Sequence, residues 1–93
     1  MSLRFEWDPK KAVANWVKHG ISFNQAIEAF DDPLAIFTFD REHSYGELRE
    51  KLIGATDDSG VVLVVFAERG EGAIRIISAR EASRQEKAEY AKN

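Results

Sequence analysis

The stretch from Gly60 to Arg80, GVVLVVFAERGEGAIRIISAR, limits what this chain can fold into more than any other part of it. Val61–Ala67 is a run of seven apolar residues, mostly β-branched, too short for a core helix and well suited to a strand. Arg69-Gly70-Glu71-Gly72 follows, with two glycines that can take the positive φ of a tight reversal. Ala73–Arg80 then returns as a second β-branched strand. The pattern predicts a hairpin at the centre of a sheet, with Glu68, Arg69, Arg75 and Arg80 as its chemically active residues.

The rest of the chain covers or extends that hairpin. Leu3–Trp7 alternates as a short strand. Asp8-Pro9 opens a helix, with Asp8 as N-cap, and Gly20 stops it. Val13, Trp16 and Val17 form its apolar stripe, which places Lys10, Lys11, Asn15 and Lys18 toward the polar sides. Ser22–Gln25 is a capping box for a second helix carrying Phe23, Ala26, Ile27 and Phe30, ended by Asp31-Asp32-Pro33. Leu34–Phe39 is a strand candidate, and Asp40–Tyr45, with His43, a polar loop. From Glu47 the pattern alternates, with Glu47, Arg49, Lys51 and Ile53 on one face. Gly54 marks a bulge or a close backbone approach. Ser83–Glu86 is another capping box, opening a helix that runs to about Tyr90. The expected fold is α+β: two N-terminal helices packed on one face of a twisted, mainly antiparallel sheet, with a short C-terminal helix and the other face partly open.

With 93 residues, one domain spanning 1–93 is expected. The chain has no cysteine, which excludes disulfides and thiolate metal sites and suits a reducing compartment. No apolar run approaches the ~20 residues of a membrane span, and the N-terminus lacks a signal-peptide pattern. A cytoplasmic protein is expected. Net charge is −3, so the whole-molecule field does not draw the protein to nucleic acid, although a local basic patch remains open.

Phe5–Pro9, Asn15, Lys18-His19-Gly20, Ser22-Phe23, Phe30, Asp32-Pro33, Gly46-Glu47, Arg49, Ile53-Gly54, Glu68-Arg69, Ile74–Arg80, Glu86 and Tyr90 occur in an order that resembles the BrnT family. This family is the toxin half of a type II toxin–antitoxin pair. The chain departs from its pattern at Ala67, where Thr is expected, and at Glu81, where a basic residue is expected. The resemblance implies a RelE-like ribonuclease fold and metal-independent cleavage of RNA that arrests translation. It also implies a cognate ribbon-helix-helix antitoxin, through which alone the toxin would meet operator DNA. No cofactor is implied.

Such chemistry needs a base for the ribose 2′-OH, an acid for the leaving 5′-oxygen, and cations for the charge on the phosphorane. Arginine suits the last task because its planar fork matches two phosphate oxygens. Arg80, Glu68, Arg69, His19 and Lys18 are the catalytic candidates; Arg49, Lys51 and Arg75 are candidates for RNA binding. Arg75 and Arg80 differ by five positions, so an unbroken strand points them to opposite faces. Either a bulge near Ser78 brings them together or only one lines the site, and then Arg80 is favoured. Glu47 and His43 complete the acid–base candidates. Each residue also has a plain structural role open to it: ion pairing for the arginines and Glu68, helix C-capping for Lys18 and His19. Two distant histidines without a cysteine offer no metal site. The competing reading is a non-enzymatic module that binds a protein partner through the same basic face.

Overall fold

The elements form in the order that the sequence predicts. The computed structural model describes residues 3–40 and 47–92; His43 and Gly46 lie outside them. Strand β1 (Arg4–Glu6) is followed by helices α1 (Pro9–His19) and α2 (Phe23–Glu28) and a 3-10 turn, Ala29–Asp31. Strands β2 (Ile36–Phe39), β3 (Arg49–Thr56), β4 (Gly60–Glu68) and β5 (Ala73–Glu81) lead to helix α3 (Arg84–Ala91). Helix starts follow the capping chemistry: Asp8 accepts from the Lys10 N–H, and both capping boxes, at Ser22 and Ser83, are closed in both directions. Gly20 ends α1 in the left-handed region at φ 69°. No helix is long and apolar enough to cross a membrane.

The five strands form one sheet in the order β1-β5-β4-β3-β2. β1 joins β5 in parallel, and every other pairing is antiparallel. One sheet face is the main core: Leu52, Val62, Val64, Phe66 and Ile76 pack against Ile21, Phe23, Ala26 and Ala29. Edge-to-face rings run through it from Phe5 to Phe30 to Phe66, each pair with centroids 5.0 Å apart. The opposite face carries a small apolar cluster at one end, where Ile53, Leu63 and Ala82 meet Tyr90 of α3. Among the described residues, the rest of that face carries charged side chains of β3 and β5 beside a half-buried Val65 and a buried Ala67.

Helix α1 sits differently from its apolar pattern. Val13, Trp16 and Val17 are 64%, 55% and 79% exposed, whereas Asn15 is buried at 6%. The cause is that α1 packs against β5 where β1 has already ended. An unpaired strand edge presents N–H and C=O groups, and apolar side chains cannot satisfy them. Asn15 can: its Nδ2 donates to the carbonyls of Ala79 (2.8 Å) and Ile21 (3.0 Å), and its Oδ1 accepts from the Ala79 N–H (3.0 Å). The side-chain amide stands in for one residue of a missing strand.

Asp32 does for the other edge what Asn15 does for this one. It stops the second helical segment in extended geometry before Pro33, as predicted. Its carboxylate also accepts from the Leu34 and Ala55 N–H groups and from the Tyr90 hydroxyl, tying the turn, β3 and α3 together. The hydroxyl hydrogen bond is the main reason that the Asp32 carboxyl is held below its ordinary range, with the Ala55 N–H next. Gly54 is the close approach, not a bulge: a Cβ there would lie 2.9 Å from the Ala29 carbonyl oxygen. Because the obstacle is backbone, Gly54→Ala is expected to destabilise by about 1–3 kcal/mol, measured by urea unfolding. A change below about 0.5 kcal/mol would show that the 3-10 turn moves freely aside.

Candidate active site

The cations converge through strand register. Ala67 pairs with Arg49 of β3 and Arg75 of β5; Val65 pairs with Lys51 and Ser78; Leu63 pairs with Ile53 and Arg80. Residues 63, 65 and 67 alternate along one strand and therefore share one face, and their partners share it with them. β5 carries an extra residue to do this. Phe66 faces Ile76 and Val65 faces Ser78, so Ile77 is bulged out. The bulge cancels the odd spacing between Arg75 and Arg80 and puts both on the open face. Arg49 and Arg75 flank the small Ala67 at two strand spacings, about 10 Å.

Arg80 lies at the end of this array, where α3 begins. Its guanidinium donates to both carboxylate oxygens of Glu86, at 2.8 and 3.0 Å, and to the Glu81 carbonyl. That bidentate pair holds the Glu86 carboxyl below its ordinary range, ahead of the opposing effect of burial. Arg80 is therefore both a cation of the open face and the clamp that seats α3. Among the described residues, Lys51 and Arg75 make no ion pair.

Lys18 and His19 approach the same region from the sheet edge. With Asn15, Ile77 and Ser78 they line a pocket of about 220 Å³ between α1 and β5. Ser78 also lies in the register of the cationic face, so this pocket adjoins the β5 edge of the array. Arg69 and Glu68 do not join it. Arg69 is held by Glu47 at 2.7 Å, beyond the end of β4. Glu68 pairs with Ile74 in the register of the main-core side, facing away from Arg49, Lys51, Arg75 and Arg80. Phe66, a conceivable stacking platform, is 2% exposed inside the core.

Glu68 instead has a second carboxylate for a neighbour. Glu50 pairs with Phe66 and so shares its face, beside Glu68. Burial first, then a hydrogen bond and repulsion from Glu68, push the Glu50 carboxyl up to about 7. A raised value in the folded state means that the native protein binds the extra proton. Stability is then greatest below the unfolded value of 4.5 and falls as pH rises toward about 7. Glu50→Gln should flatten the melting temperature over that window; an unchanged slope would show that Glu50 does not titrate there.

Two further residues of this region are placed here by pairing rather than by local pattern. Ser78 enters because the bulge turns it outward, and Glu6 because β1 pairs in parallel with Glu6 opposite Arg75. Both depend on pairing between distant segments, which local alternation does not encode.

Comparison with known proteins identifies the family and the fold. The family model described as the ribonuclease toxin BrnT of a type II toxin–antitoxin system matches residues 7–86. The crystal structure of the Brucella abortus ribonuclease toxin BrnT superposes with a TM-score of 0.68 at 28% identity, covering 89% of this chain and 100% of that one. A search of curated proteins found no match. With the family model spanning all but the ends and the fold shared with a solved member, the chain belongs to the BrnT family of ribonuclease toxins.

Proposed function

We propose that this protein is an endoribonuclease that cuts RNA without a metal ion, arrests translation in the cytoplasm, and is neutralised by a cognate ribbon-helix-helix antitoxin. The observation that carries this reading is the set of four cations, Arg49, Lys51, Arg75 and Arg80, that the β5 bulge gathers on one open face. Four fixed positive charges supply what a phosphorane requires, and they do so without a Lewis acid. Arg80 stabilises the charge developing on the scissile phosphate, Arg49 and Arg75 hold the RNA backbone further along β4, and Lys51 lies between them. His19, with Lys18 beside it, serves proton transfer from the β5 edge. Arg69 and Glu68 act at the hairpin end, away from the reacting phosphate. Operator DNA would be met only through the antitoxin.

The exposed strip Val13, Trp16 and Val17 supports a protein partner as well, and it is what favours the alternative of a pure interaction module. Cleavage decides between them. The purified protein, given a defined mRNA in EDTA with and without ribosomes, is expected to cut it. RNA left intact in both settings by folded protein would remove the ribonuclease reading and leave the interaction module.

A further inference from the structure

The geometry points to a guanine-binding pocket between α3 and the open sheet face, which would set where RNA is cut; this rests on the ribonuclease reading above. The pocket encloses about 260 Å³. Its floor is apolar, made by Ile53 and Leu63, both buried. Its rim is polar, made by Thr38, Lys51, Gln85 and Glu89. Among the described residues, none of these four side chains is engaged in a hydrogen bond or an ion pair. An apolar floor with a few uncommitted polar groups above it is the usual form of a small-ligand site.

The pocket adjoins the cationic array. Leu63 of its floor is the register partner of Arg80, and Glu86, which holds the Arg80 guanidinium, forms part of its wall. Lys51 belongs to both. A nucleotide with its phosphate at Arg80 would therefore place its base over Ile53 and Leu63.

The rim chemistry selects among bases. A carboxylate accepts hydrogen bonds only, and it accepts two side by side; a lysine ammonium donates only. Guanine presents N1–H and N2–H together for the carboxylate of Glu89, with O6 and N7 as acceptors for Lys51. Adenine and cytosine each present one amino group beside an acceptor nitrogen, and uracil presents a single N–H between two carbonyls. Each would set an acceptor against the second oxygen of Glu89. Glu89 and Lys51 are thus the specificity residues, and Thr38 and Gln85 adjust to the base that they admit.

The test is titration of the full-length protein with the nucleoside 3′,5′-bisphosphates of guanosine, adenosine, cytidine and uridine. The guanosine compound is expected to bind at least about tenfold more tightly than the others, the discrimination of one good bidentate pair. Glu89→Gln should bring it within about threefold of the others, with an unchanged melting curve because Glu89 is exposed. No binding, equal binding of all four, or a preference that survives Glu89→Gln would overturn the assignment. Mapping of cut sites on a mixed-sequence RNA separates the two levels. Guanosine preference without cutting would leave the pocket standing and remove the ribonuclease reading; cutting with no guanine at a fixed position would do the reverse.

Discussion

Asn15→Leu is expected to cost about 3–5 kcal/mol of folding free energy, the largest stability loss of any single substitution considered for this protein. Leucine is close to asparagine in size and fits the same space, so the loss does not come from a cavity. It comes from three backbone groups left without partners: the Ala79 N–H, the Ala79 carbonyl and the Ile21 carbonyl. Each is buried at the α1–β5 junction, and each unsatisfied group costs about 1–3 kcal/mol. Small domains hold about 5–15 kcal/mol in all, so the variant is expected to be partly unfolded at 37 °C or to melt more than about 12 °C lower. Asn15→Asp makes the mechanism specific. It keeps the acceptor for the Ala79 N–H, loses both donated bonds and adds a charge beside two carbonyl oxygens, so it should be no better than leucine. A loss below about 1 kcal/mol in either variant would mean that the β5 edge finds other partners.

The second large effect is on catalysis and concerns Arg80 with Glu86. Arg80→Ala is expected to lower RNA cleavage at least about 100-fold, in line with removal of one fixed charge-stabilising donor from a phosphoryl or acyl centre. Antitoxin affinity is expected to stay within about tenfold, equivalent to about 1.4 kcal/mol. Because Arg80 also clamps α3, loss of activity alone does not separate the two duties. Glu86→Gln does. It breaks the same bidentate pair from the other side and leaves the guanidinium in place, freer to meet a phosphate. Both variants should melt at similar, modestly lower temperatures, since a partly exposed pair contributes at most about 1 kcal/mol. Cleavage should separate them: nearly lost in Arg80→Ala and kept within about tenfold of the parent in Glu86→Gln. Equal losses in the two would assign Arg80 to the clamp and shift the charge-stabilising role to Arg75 and Arg49.

What could be read from the sequence followed how local the cause was. Capping chemistry at Asp8, Ser22 and Ser83 acts over three residues and marked the helix starts. Alternation marked Arg49 and Lys51 as neighbours on one face. Gly54 announced a tight spot without naming the Ala29 carbonyl that creates it. Helix α1 misled for a physical reason. Amphipathic pattern assumes that the inward side of a helix meets apolar atoms, and α1 meets a strand edge, whose backbone groups demand an amide. Of the site, the arginines were visible and their convergence was conditional on a bulge, which only the pairing of β4 with β5 locates at Ile77. Glu68 stands next to Arg69 in sequence, yet alternation along β4 turns it to the face opposite Arg49, Lys51, Arg75 and Arg80.

The placement of β5 also governs when this molecule can come into being during synthesis. It is the last strand made, yet β1 and α1, the first elements made, have no other strand to rest on: Asn15 must wait for Ala79, 64 residues later. Contacts of such separation form slowly, because the intervening loop must close before they return any free energy. Arg75 and Arg80 ride on the same late strand, so the cationic face comes together no earlier than the pairing of β5 with β4.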